Sequence, residues 1–456
     1  EAMFASQLDD HLDELAHHYG RSGNIEKAVE YLGRAGQQAL RRSAYTEAVD
    51  RLTAAIDLLQ KFPDGPERIQ RELLLQLDVG SAYAVRSGWV GLEVERAYIR
   101  ARELCERLGD APERFPALQG LWAVHALREE LPQAFPIAEQ LLRMAQVTGD
   151  RGLLMYAEYA LGFTLFWMGE LLSARRHFER AIAGYDPELH RQLAFLYGYD
   201  VGVHGLAYLA LTLSALGYPD QALARSNEAF AIAQATSNPV GLAFAAGAIG
   251  TVRLYRREIV AVEENANLVI ALSTRHGLTE VLPIVIAQRG WALVQQGRYE
   301  DGISQIREVV VRLRPAGSSL VLTYVLNLLV DACTRIESLD ERQRILAEAT
   351  SVARKLERHT LEAETLRLKG ELLLLGDTGV TSEAAQCFRQ AIEVARRQSA
   401  KSWELRATMS LARLLDKQGH REEARTVLAE IYGWFSEGFD TADLVDAKAL
   451  LGELGR

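Results

Sequence analysis

The richest gathering of residues able to bind or react is the segment Gly184–Gly205 (GYDPELHRQLAFLYGYDVGVHG), which carries Tyr185, His190, Tyr197, Tyr199, Asp200 and His204. Tyrosine joins an apolar ring to a polar tip, and histidine beside aspartate adds donors and acceptors, the mixture that small ligands and peptides are bound by. The simpler reading is a helical repeat whose first helix is interrupted, with the tyrosines packed between neighbours, because Gly198, Gly202 and Gly205 weaken a helix. The functional reading is a pocket or a partner-binding break. Arg256 and Arg257, between Tyr255 and Glu258, form a second candidate, since guanidinium groups grip carboxylates and phosphates. As turn residues they are expected to be solvated, within reach of any concave surface beside them.

Other candidates fail on geometry. His11 and His18 share a helix face but stand two turns apart, roughly 10 Å by helix rise, which is too far for one metal ion even with His17 beside them. Lys369-Gly370 has the order of a phosphate-loop signature reversed and falls inside a helix. No zinc helix of the His-Glu-x-x-His type, no Cys-x-x-Cys pair and no Gly-x-Ser-x-Gly elbow is present. The expected class is therefore a binding module rather than an enzyme, with no metal and no cofactor.

Composition agrees. The net charge of −10 argues against non-specific nucleic-acid binding, which needs a basic surface. No stretch approaches the roughly 18 apolar residues of a membrane span. Cys105, Cys333 and Cys387 lie far apart beside apolar residues and are expected to be buried, reduced thiols of a cytoplasmic protein. With 11 prolines and 48% hydrophobic residues, and many Ala, Leu, Glu and Arg, the chain is expected to be helical throughout.

The elements that must position any site are set by a recurring triplet of small residues. Ala16–Gly23–Ala28, Gly162–Gly169–Ala174, Ala210–Gly217–Ala222, Gly290–Gly297–Gly302 and Ala412–Gly419–Ala424 share one spacing. The middle glycine can end a helix in the left-handed conformation. The flanking small residues let two antiparallel helices approach closely. Larger residues follow at helical spacing: Phe178 and Ala181 after Ala174, Phe388 and Ala391 after Ala384, Leu52 and Ala55 after Ala48. Degenerate turns fall near Ser43–Tyr45, Ser87–Gly88, Glu129–Leu131, Arg256–Arg257, Glu337–Leu339 and Gly376–Gly379. The turns recur roughly every 40 residues from Gly88 onward, a helical-repeat period.

These features predict an all-α fold, a right-handed α-solenoid of about eleven antiparallel helical hairpins, tetratricopeptide-like with long helices. Shorter repeats are expected over 1–62, long-helix repeats over 66–437 and a capping helix over 438–456. Phe62–Pro66 and Leu313–Ser319 are expected to be inter-repeat turns. Trp122, Trp167 and Trp291 fall in first helices of hairpins, where core packing is the expected role, although first helices also line the concave face of such solenoids. In the tail, Asp440 or Thr441 is expected to cap the last helix, whose Leu444, Ala447, Leu450, Leu451 and Leu454 make one apolar stripe.

The hairpin motif resembles the tetratricopeptide repeat. Further strings are more specific: LAHHY at 15–19, VERAYIRARELC at 94–105, FLYG at 195–198, GYPDQA at 217–222, LKGELLLL at 368–375 and YGWFSEGFDTADL at 432–444. Together they resemble the C-terminal repeat region of bacterial predicted ATPases, in which an adenylate/guanylate cyclase domain and a signal-transduction NTPase domain often come first. The resemblance implies a regulatory arm that binds an inducer, a protein partner or its own NTPase or cyclase domain, and it carries no catalytic residue into this sequence. The start at Glu1-Ala2-Met3 fits a segment of such a longer protein. The alternative is the inducer-binding sensor domain of a transcription activator.

Overall fold

In a computed structural model the chain is built of α-helices. The structure describes residues 8, 11–42, 44–109, 111–187, 193, 199–236, 239–278, 281–314, 319–333, 344–345, 347–348, 359–375 and 381–456. His190, Tyr197, Ser43, the FLYG string and the expected turns at Glu337–Leu339 and Gly376–Gly379 lie outside them, as does most of Leu313–Ser319.

The described residues form 21 helices and no strand. They are α1 (Leu12–Ser22), α2 (Ile25–Arg41), α3 (Tyr45–Leu59), α4 (Pro66–Ser87), α5 (Leu92–Leu108), α6 (Arg114–Leu127) and α7 (Leu131–Thr148). Next come α8 (Arg151–Trp167), α9 (Leu171–Ala183), α10 (Val201–Leu216), α11 (Pro219–Ala235), α12 (Pro239–Tyr255), α13 (Ile259–His276) and α14 (Leu282–Gln295). The last seven are α15 (Tyr299–Leu313), α16 (Ser319–Cys333), α17 (Glu362–Leu374), α18 (Thr381–Gln398), α19 (Lys401–Lys417), α20 (Arg421–Tyr432) and α21 (Ala442–Leu454). The chain divides into two compact units: Glu1–Ala157 with Gln192–Gly198, and Glu158–Arg191 with Tyr199–Arg456.

The small-residue triplet does what its spacing requires. Gly23, Gly169, Gly217, Gly297 and Gly419 have φ of 79, 80, 96, 88 and 84°, the left-handed region. Glu129 and Arg257 take φ of 66 and 60° at the corresponding degenerate turns, so the repeat imposes this conformation even where no glycine is present. The first small residue faces the large residue of the partner helix. A Cβ on Gly162 would lie 2.9 Å from the Phe178 ring, and one on Gly370 would lie 2.4 Å from Phe388. Phe178, Phe388 and Leu52 are fully buried, each four residues after a fully buried alanine (Ala174, Ala384, Ala48). At Gly290–Gly302 both residues lack a Cβ, and a methyl on Gly290 would sit 2.7 Å from the Gly302 carbonyl oxygen. In the first unit Tyr98 is buried against Gly80 and Gly120 in the same manner.

One helix, α2, lies between Gly23 and the start of α3 at Tyr45, because about 20 residues of separation leave room for only one. The three cysteines are buried, and burial pushes the Cys105 thiol up to about 11. Trp122 and Trp291 are buried in the core. Among the described residues no helix is long and apolar enough to cross a membrane, and no cluster of His, Cys, Asp or Glu could hold a metal ion.

Gly290→Ala is expected to lower unfolding stability by about 1–3 kcal/mol, since the backbone oxygen it meets cannot rotate away. Gly452→Ala, in the same unit with open space around it, is expected to be neutral or stabilising by up to about 1 kcal/mol. Urea titration of the two variants checks the contrast.

Candidate ligand-binding cavity

The second unit closes on itself through its tail. Glu437 reaches back to the start of α11, where its Oε1 accepts from the backbone N–H groups of Asp220 and Gln221 at 2.9 and 3.1 Å. These are orphan donors of a helix N-terminus, where a carboxylate is favoured. Asp220 returns the contact by accepting from the Gly438 N–H at 2.9 Å. Gly438, at φ 74°, lies so close to Pro219 that a Cβ would overlap it. Trp434 and Phe435 pack on Gly217, and Trp434 lies edge-on to Tyr218. Ser402 donates to the Ser214 carbonyl at 2.6 Å, and Thr360 N–H to the Trp167 carbonyl at 3.2 Å.

Arg256 sits at the centre of this clasp. Its side chain is 7% exposed and meets Asp220 at 2.8 Å, Glu258 at 2.6 Å and Asp440 at 3.2 Å. Arg257 pairs with Asp443 and Asp446 at 3.7 and 3.2 Å. The expectation that these two arginines are solvated fails for Arg256, because three carboxylates from separate elements surround it. The expected cap of α21 also differs: Asp440 is committed to Arg256, and the Thr441 hydroxyl donates to the Gly438 carbonyl at 2.6 Å, so neither side chain caps the helix. The apolar stripe of α21 is as expected, with Leu444, Ala447, Leu450 and Leu454 buried in the last core.

The clasp borders an open-mouthed cavity of about 210 Å³. It is lined by the first helices of successive hairpins. Tyr255 comes from α12, Trp291 from α14, Tyr324, Asn327 and Asp331 from α16, Glu364 and Arg367 from α17, and Trp403, Arg406, Met409 and Arg413 from α19. Asp443 and Asp446 come from α21 and Arg257 from the α12–α13 turn. On each of α16, α17 and α19 the lining residues recur at three- and four-residue steps, one stripe of the helix.

Polar side chains tie each first helix to the next, one repeat on. Gln288 donates to Thr251 at 2.8 Å and to Tyr324 at 3.2 Å. The Trp291 indole donates to Asp331 at 2.7 Å, and Asn327 to Thr365 at 3.0 Å. Arg367 holds Glu364 through two contacts, at 2.8 and 2.7 Å. Arg406 holds Asp443 at 2.6 Å and Glu364 at 3.5 Å, and donates to the Tyr255 carbonyl at 2.9 Å. Burial pushes the Glu364 carboxyl up, but Arg367 and Arg406 outweigh it and hold the group below the usual range. The wall is thus aromatic and ionic together, with Glu364, Asp443 and Asp446 each paired to an arginine.

The sequence-selected cluster lies elsewhere in this unit. Tyr185 donates to Asp200 at 2.8 Å, and the other oxygen of Asp200 caps α10 by accepting from Gly202 and Val203 at 2.8 and 3.2 Å. The glycines expected to weaken this helix leave α10 continuous, since Gly202 receives the Tyr185 ring where a Cβ would collide. His204 stacks on Phe244 with ring centroids 3.9 Å apart, and Tyr199 lies 5.3 Å from His204 and 5.2 Å from Tyr159. Tyr185, Tyr199, Asp200 and His204 are therefore brought together, inside an aromatic network, while Arg256 and Arg257 belong to the clasp. Among the described residues of the two candidate groups, Arg257 alone lines the cavity, together with Trp291 of the first-helix tryptophans. Sequence reading missed Tyr324, Arg367, Trp403, Arg406 and Arg413; the available signal was a polar and aromatic stripe on otherwise apolar first helices.

No family model matches the chain. A curated relative, an uncharacterized protein of Rhizobium meliloti (strain 1021), is 22% identical over 308 residues, which is 65% of this chain and 29% of the relative's length. The chain thus spans less than a third of that relative. Among solved structures, a Rap protein complexed with Competence and Sporulation Factor is similar at TM-score 0.55 and 10% identity, covering 81% of this chain and 98% of that one. NprR in complex with its cognate peptide NprX is similar at TM-score 0.51 and 12% identity, covering 85% and 99%. The likeness is one of fold. The chain is a tetratricopeptide-like helical-repeat protein.

Two predictions follow from this geometry. Arg256→Ala is expected to cost about 1–3 kcal/mol, because the carboxylates left behind are partly exposed and can rehydrate; chemical denaturation reads it. His204 donates through Nδ1 to the Asp200 carbonyl at 2.9 Å, and burial lowers its pKa from 6.5 to about 4. Between those values the unfolded chain takes a proton that the folded chain refuses. Stability is therefore fullest above pH 6.5 and falls as pH drops toward 4. A smaller fall in Tm from pH 7.5 to 4.5 is expected for His204→Phe than for the parent sequence.

Proposed function

We propose that this chain is a non-catalytic recognition module that senses a protein, peptide or small effector in a bacterial signalling protein. The observation that carries the reading is the cavity: it is walled by first helices of five hairpins and by the terminal helix, and its Glu364, Asp443 and Asp446 are paired with arginines rather than arranged as a nucleophile and base. Occupancy of such a site changes the balance between the clasped tail and a released one, to the extent that the occupant binds one arrangement more tightly. The similar fold of Rap with Competence and Sporulation Factor and of NprR with peptide NprX supports a protein or peptide occupant.

The finer reading is that the module is the regulatory arm of a signal-transduction ATPase or nucleotide cyclase. Its support is the set of strings that resemble those proteins, the tail string above all. Glu437, Gly438, Asp440 and Asp443 of that string each make a clasp contact. The test is nucleotide turnover by the longer protein with and without this region, and with Arg256→Ala. A change of several-fold is expected in both cases; equal rates in all three proteins would sink the regulatory reading. The cavity's small volume also suits the alternative of a small-molecule inducer sensor, for which a DNA-binding domain in the longer protein is the discriminating observation.

A further inference from the structure

One arginine belongs to both the cavity wall and the clasp. The Arg406 side chain of α19 is 15% exposed, and its guanidinium fork reaches three elements at once. Nε holds Asp443 of α21 at 2.6 Å, Nη2 donates to the Tyr255 carbonyl at the end of α12 at 2.9 Å, and Nη1 faces Glu364 of α17 at 3.5 Å. The Tyr255 carbonyl is one of those that a helix end leaves without an intrahelical partner, and a cation is favoured there. That carbonyl shares a peptide group with the N–H of Arg256, whose side chain is the centre of the clasp. Arg257 follows at φ 60° and turns its own side chain to Asp443 and Asp446.

These contacts close a loop. Arg406 holds Asp443, Asp440 one turn earlier in the tail holds Arg256, and Arg256 follows the carbonyl that Arg406 also holds. Tyr255, Glu364, Arg406 and Asp443 line the cavity, whereas Arg256, Asp220 and Glu437 do not. A displacement at the wall therefore reaches the clasp through a single side chain. A lysine ammonium is a point charge on a flexible stem and lacks the fork that fixes several acceptors together. We propose that Arg406 is the positioning residue that couples the cavity wall to the tail clasp, so that an occupant which shifts Glu364 or Asp443 alters the hold of Glu437 on the start of α11. The proposal deepens the recognition reading and rests on it. It supplies the one side chain whose arrangement both places bias, which coupling between two sites requires.

The test is hydrogen–deuterium exchange of the whole 456-residue chain. It is read at the Asp220, Gln221 and Gly438 amides, which donate to clasp carboxylates and not to any group that Arg406 holds. Arg406→Gln is expected to speed their exchange at least tenfold and Arg406→Lys by an intermediate factor, with α2 and α3 of the first unit unchanged. Where Arg406→Gln does not fold, Arg406→Lys carries the comparison. Glu364→Gln, on the wall and away from the clasp, is expected to speed the same amides at least threefold in the parent sequence and to add nothing once Arg406 is replaced. A purely structural arginine lacks that dependence, because independent effects multiply. Arg413→Gln, on the same helix and wall but exposed, is expected to leave these amides as they are. Clasp exchange indifferent to both Arg406 variants, or a Glu364→Gln effect that persists in full without Arg406, overturns the coupling. Failure here with turnover still changed by removal of the region leaves the recognition reading standing. Coupling here with unchanged turnover removes regulation and leaves the link between wall and clasp.

Discussion

A buried arginine held by three carboxylates is the interaction on which the second unit depends. Arg256 leaves the α12–α13 turn and meets Glu258 of its own hairpin, Asp220 at the turn of the preceding hairpin and Asp440 just before the last helix. Placing a guanidinium out of water is unfavourable unless its donors are met, and here the charge-assisted contacts meet them from three directions. The same arrangement fixes where α21 lies. Because α21 is fixed, Asp443 and Asp446 face Arg406 and Arg257 and complete the cavity wall. Releasing Arg256 therefore acts on a surface that its own side chain does not line.

The hairpins supply that wall with a regular ladder. Each first helix uses one face of small residues to approach its partner and another to present polar and aromatic groups inward. Thr251, Gln288 and Tyr324 join α12, α14 and α16, and Asn327 with Thr365 joins α16 to α17. Since the partners stand about one repeat apart, the ladder follows from the period. Buried polar groups of this kind must be satisfied by a partner at a fixed register, and so they discourage neighbouring hairpins from slipping.

Legibility in the sequence differed between the hairpins and the site for a physical reason. Gly169 and Phe178 could be read because a close helix crossing needs a small residue opposite a large one at a set local spacing. Tyr185, Asp200 and His204 were visible as an unusual cluster, and they do assemble, with Asp200 capping α10 and His204 stacked on Phe244. Arg367, Arg406 and Arg413 were not visible as a site. Each is an ordinary arginine on an amphipathic helix, and nothing local distinguishes a face turned to open solvent from one that lines a cavity.

The sequence by itself determined the local units: the helix lengths, the left-handed turns at Gly23, Gly169, Gly217, Gly297 and Gly419, the buried stripe of each second helix and the apolar stripe of α21. All of these arise from contacts between residues close in the chain, which spacing and side-chain size are enough to specify. Tertiary structure alone decided that the tail returns to α11 and α12, that Arg256 is buried rather than solvated, and that a cavity forms. Those outcomes depend on residues such as Asp220 and Gly438, or Tyr255 and Arg406, which are 218 and 151 positions apart. Small rotations between successive hairpins accumulate over that distance, and whether they bring the two ends together is a property of their sum that no single repeat contains.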